Sequence, residues 1–132
     1  MSGSGTADDP WVLTTPSGGS EYQMHLDPDA GLLVCQVGKT KLTYLARALD
    51  DLHAWLTEQG DWVLLGGADE QKPAAEGTVE AWGRAESNPV GGWYGQKKGL
   101  RGRFGVYVPP VLVEQGRAEI KVESRKAYAR AL

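Results

Sequence analysis

The chain has 132 residues, of which 41% are hydrophobic and 23% charged, with a formal net charge of −3. That length suits one domain able to bury roughly two thirds of its unfolded surface, and the proportions are those of an ordinary globular protein. No apolar run reaches the roughly 18 residues of a membrane-spanning helix, so such a helix is excluded.

The opening residues, MSGSGTADD, lack the basic and apolar segments of a secretory signal, and residues 1–8 are expected to be a flexible tail. Pro10 turns the chain into a first strand at 11–15, and PSGGS at 16–20 is a turn. Residues 21–26 alternate, with Tyr22, Met24 and Leu26 on one face and Glu21, Gln23 and His25 on the other, which predicts a half-buried strand. In DPDAG at 27–31 the proline presets φ and the glycine tolerates a positive value, so a tight turn follows. Residues 32–37 form a continuous apolar strand ended by Gly38, and 41–44 a short further one. The first third is an antiparallel meander.

The period then changes. Leu45, Leu49, Leu52 and Leu56 recur at helical spacing with Ala48 and Trp55 beside them, which predicts one long packing helix at 47–59 ended by Gly60. Residues 62–65 make a short strand. ADEQKPAAE at 68–76 is a loop, and 78–85 a second helix capped by Thr78, with Val79 and Trp82 facing inward. Pro109 and Pro110 start a short helix that runs to Gln115. Ala118, Ile120 and Val122 alternate with charged residues as a closing strand, and 124–132 reads as a basic tail. The architecture is α+β: a meander, a packing helix, then a helical and loop-rich C-terminal half in a single domain at 9–123. The order helix, helix, glycine-rich segment, short helix, strand suggests a winged-helix-like arrangement there.

Charge is unevenly spread. Residues 1–66 carry three basic and nine acidic side chains, whereas from Asn88 onward there are nine basic and three acidic. An anionic partner suits that asymmetry, as does self-association of an acidic half with a basic third. The basic charge gathers in residues 91–110, GGWYGQKKGLRGRFGVYVPP, which hold six glycines, four cations and four aromatics. Gly92, Gly95, Gly99, Gly102 and Gly105 recur at three or four residues, the spacing of one helical face. As a helix this stretch packs tightly and its cations are merely solvated. As an irregular loop its backbone N–H groups meet an anion, with Lys97, Lys98, Arg101 and Arg103 supplying charge and Trp93 and Tyr94 supplying stacking faces.

Other motifs are incomplete. Gly38-Lys39-Thr40 ends like a phosphate-binding loop, but the required earlier glycine is Leu33. DPDAG lacks the spacing and the bidentate acid of a calcium loop. His25, His53 and Cys35 have no paired metal-ligand spacing, so neither metal nor cofactor is expected. His53 follows Asp50 and Asp51 closely enough for an acid–histidine pair, the basis of an alternative reading as a small enzyme. Acid pairs such as Glu76/Glu80 are common on surfaces. Cys35, the only cysteine, lies in an apolar run and reads as a core residue in a chain suited to a reducing cytoplasm. The five tryptophans anchor the core, with Trp93 placed to line a pocket.

DDPWVLTTP with SEYQM, DDLHAWL followed by GDW, and EGTVEAWGR running to NPVGGWYGQKKGLRGRFGVYVPP together resemble a family of small uncharacterised bacterial proteins, a domain of unknown function. The resemblance covers most of the chain from Asp8. It implies that residues 8–132 form one domain and carries no activity. The residues themselves point to a non-enzymatic binding module for an anionic ligand or nucleic acid, with a homo-oligomeric interaction domain as the alternative and no membrane partner.

Overall fold

A computed structural model describes residues 3–16, 18–66, 75–94, 104–124 and 126–132. Four strands, β1 (Trp11–Thr14), β2 (Glu21–Asp27), β3 (Leu32–Val37) and β4 (Thr40–Leu45), form an antiparallel sheet in chain order. Tyr22 and Met24, on one face in the alternation read from the sequence, point inward, as do Cys35 of β3 and Tyr44 of β4, all at most 2% exposed. Met24 pairs with Cys35 and Leu33 with Tyr44, so the strands share one register of buried positions. Ala30 N–H donates to Asp27 Oδ1 at 3.3 Å in the DPDAG turn, where Gly31 has φ +67°. The opening residues, expected as a tail, fold back at 3–9: Gly5 O accepts from Leu26 N–H at 2.8 Å, and a bridge joins Thr6 to Asp9.

Helix α1 (Ala48–Gln59) is the expected packing helix, 12 residues long. Its stripe of Ala48, Leu49, Leu52 and Leu56 is buried, and Gly60 ends it at φ +69°, its N–H donating to Leu56 O. Strand β5 (Val63–Leu64) follows, then helix α2 (Val79–Arg84). Thr78 caps α2 as its sequence requires, Oγ1 accepting from Ala81 N–H at 3.1 Å. Helices α3 (Phe104–Tyr107) and α4 (Pro109–Glu114) come next, then strands β6 (Ala118–Glu123) and β7 (Lys126–Ala131).

The stretch read as a basic tail is therefore largely a strand. β7 lies in the middle of a second sheet, ordered β5-β7-β6. Its inward positions are alanines, Ala127, Ala129 and Ala131, which face Val122, Ile120 and Ala118 across the hairpin. Small side chains suit this layer because α1 packs directly on β7. β5 lies between α1 and α2, and the β6–β7 hairpin follows α4.

Helix α4 lies against both β6 and β1, and so joins the two sheets. Tyr22 strengthens this join: its hydroxyl donates to Tyr107 O at 2.9 Å, and the two rings meet edge to face at 4.9 Å. The core is continuous from Trp11 and Met24 through Leu52 and Phe104 to Ala129.

Candidate functional site

Helix α2 presents Val79 and Trp82 to the core, and with them Glu80, whose side chain is fully buried. A buried carboxylate needs partners, and Glu80 has two. Oε2 accepts from Arg84 Nε at 2.8 Å, one helical turn on. Oε1 accepts from the Gly105 N–H at 2.9 Å. The Glu80 N–H donates to Leu65 O at 2.9 Å, so this one residue ties the exit of β5 to α2 and α3. The same carbonyl explains Gly105: a Cβ there would overlap the Leu65 oxygen.

Arg84 carries the network outward. Its guanidinium lies 4.8 Å from the ring centre of Trp93, which is half-buried. Between them the loop is closed by Asn88, a buried amide. Nδ2 donates to Trp82 O at 2.8 Å and to Gly92 O at 2.7 Å, while Oδ1 accepts from the N–H groups of Val90 and Gly92, both at 3.1 Å. Both amide donors and the carbonyl are thus engaged. Gly91 (φ +76°) and Gly92 (φ +148°) complete this turn, so the glycine-rich stretch begins as a turn and ends, at Gly105, in helix α3.

Tyr94 is a core residue, 1% exposed. Its ring packs on Trp82 at 5.4 Å and on Phe104 at 5.3 Å. The hydroxyl donates to Asp51 Oδ2 at 2.9 Å, and the same oxygen accepts from Arg47 Nε at 2.8 Å. Burial, reinforced by the hydrogen bond to Asp51 and its charge, pushes the Tyr94 phenol well above its ordinary range. Tyr94 O accepts from Leu45 N–H at 2.6 Å, which fixes the backbone to the end of β4. Of the site residues read from sequence, Trp93 and Tyr94 are therefore neighbours in different settings, one half-exposed under a cation and one in the core. Lys97, Lys98, Arg101 and Arg103 lie outside the described residues.

The acids beside His53 are engaged elsewhere, Asp50 with Arg117 and Asp51 with Arg47 and Tyr94. Cys35 is fully buried, and burial pushes its thiol up to about 12. Among the described residues no three His, Cys, Asp or Glu side chains gather as a metal site, and no helix is long and apolar enough to cross a membrane.

A family model spans residues 3–132, nearly the whole of this single connected core. The chain belongs to DUF6855, a family of unknown function. No curated protein and no solved structure matches it. The organising residues of this DUF6855 chain were not those the sequence singled out. Glu80 read as one of many surface acids, and Asn88 carried no reading of its own. One signal for Glu80 was present: it shares α2 with the inward Val79 and Trp82 and has Arg84 at the i+4 position. Helix α4, PPVLVE, carries no basic residue and has four buried positions.

Proposed function

We propose that this DUF6855 chain is a non-enzymatic binding module that takes a polyanionic ligand at the surface of residues 91–107. One observation carries this reading: the rings of Tyr94 and Phe104 are 5.3 Å apart. The nine residues between them, GQKKGLRGR, hold four cations and no acid. The described ends of this segment, Tyr94 and Phe104, meet in one aromatic cluster. Four like charges in so short a span repel one another, and a ligand with repeated negative charges relieves that repulsion.

Nucleic acid is the natural example of such a ligand. Lysine and arginine side chains on a glycine-rich segment suit contacts to phosphates, which position a nucleic acid without reading its bases. The affinity is then largely independent of sequence and steeply dependent on salt. Fluorescence anisotropy with a mixed-sequence single-stranded oligonucleotide at two salt concentrations tests this. Binding that falls sharply with salt supports the proposal, and no binding at low salt overturns it. Light scattering on the same samples separates ligand binding from salt-sensitive self-association.

A further inference from the structure

Trp82 has a second stacking partner. Trp55 of α1 lies parallel to it, with ring centres 5.3 Å apart and planes 19° apart. Tyr94, Trp82 and Trp55 thus form a three-ring column that starts in the core and ends at the half-buried Trp55. On α1, Asp51 precedes Trp55 by four residues and Glu58 follows it by three, so both carboxylates stand on the Trp55 side of the helix. Across from them are Ser87 and Pro89, in the loop that Asn88 holds closed. A cleft of about 280 Å³ opens between Asp51, Trp55 and Glu58 on one wall and Trp82, Ser87 and Pro89 on the other. Among the described residues no basic side chain lines it.

The other surface tryptophans are arranged differently. Trp93 lies under Arg84, and Trp62 lies under both Lys121 and Arg130, at 4.7 and 4.6 Å. Among the described residues Trp55 has no such cation and is flanked by carboxylates. Asp51 Oδ2 is occupied by Tyr94 and Arg47, but Oδ1 accepts from no described residue, and Glu58 has no ion pair among the described residues. An indole face with acceptors beside it and no cation of its own matches the requirements of a cation–π site.

The geometry points to a second site, between α1 and the loop at 87–89, that binds a small organic cation: a guanidinium or alkylammonium group stacked on Trp55 with its charge toward Glu58 and Asp51. The cleft suits one group the size of an arginine side chain. Its ligand has the opposite charge to the one proposed above, so the two sites succeed or fail independently.

Titration of the full chain with N-acetylarginine amide, followed by the indole N–H resonances in NMR, tests the site. N-acetylcitrulline amide, of nearly the same shape but uncharged, is the control. The expected result is saturable shifts at Trp55 and Trp82 with the cation and none with the control. Glu58→Gln, an exposed change that leaves the core untouched, weakens binding about two- to fivefold, and Trp55→Ala abolishes it. Absence of a saturable shift up to about 10 mM overturns the site. So does an equal response to the citrulline compound, or unchanged binding in Glu58→Gln.

Discussion

Glu80 Oε1 accepts a 2.9 Å hydrogen bond from the backbone N–H of Gly105, a residue 25 positions further along the chain. The bond lies in a fully buried setting, beside the ion pair from the other Glu80 oxygen to Arg84. It fixes α3 against α2, and with it Phe104, the residue that closes the glycine-rich segment against Tyr94.

Removal of the carboxylate is therefore costly. Glu80→Ala takes the counter-charge from Arg84 and the acceptor from the Gly105 N–H, and is expected to destabilise the fold by about 3–5 kcal/mol in urea unfolding. Glu80→Gln keeps an acceptor and the shape but loses the charge, for a cost of about 2 kcal/mol. Equal losses in the two variants would mean that the Gly105 bond contributes nothing.

The glycines of the 91–110 stretch do different work, and alanine separates them. At Gly105 an added Cβ overlaps the Leu65 carbonyl oxygen, a backbone atom with little room to move, so Gly105→Ala is expected to cost about 3 kcal/mol. At Gly91 a Cβ meets open space and only the φ of +76° opposes it, so Gly91→Ala costs about 1 kcal/mol. The order of the two unfolding midpoints checks this, and a reversed order would contradict the close backbone approach.

Alkali should unfold the protein early. Burial raises the Cys35 thiol from 9.0 to about 12, and raises the phenols of Tyr22 and Tyr44 well above 10.0. These groups stay protonated in the fold while the unfolded chain ionises, so the unfolded state binds fewer protons and stability declines as pH rises above about 9. It is fully retained below that value. Unfolding midpoints measured from pH 7 to 11 should stay level and then fall, and a thiol reagent should react with Cys35 only as the fold opens. A flat profile to pH 11, or rapid reaction at pH 7, contradicts the burial described for these groups.

Much of the fold was legible because its signals are local. The alternation in β2, the turn residues of DPDAG, the leucine stripe of α1 with Gly60 behind it, and the Thr78 cap each declare themselves within a few residues. β7 did not: its inward positions are alanines with weak apolar signal, Ala129 buried and Ala127 and Ala131 partly so, on a strand against which α1 packs. Glu80 and Asn88 were missed for a related reason. A charged or amide side chain reads as solvated until its partners are known, and those of Glu80 include an N–H 25 residues away. The candidate site shows the same division. Its charge and glycine content were plain in sequence, whereas the contact between Tyr94 and Phe104 at its two ends is a tertiary fact.

The central claim is that the four cations between Tyr94 and Phe104 in the sequence hold a polyanion. The most direct measurement is the salt dependence of single-stranded oligonucleotide affinity for the native chain and for a variant with Lys97, Lys98, Arg101 and Arg103 changed to glutamine. Contact by all four predicts a slope of about −3 in log affinity against log salt for the native chain, and near-complete loss of binding in the variant. Native affinity and slope retained in the variant, or a native slope near zero, would contradict the account.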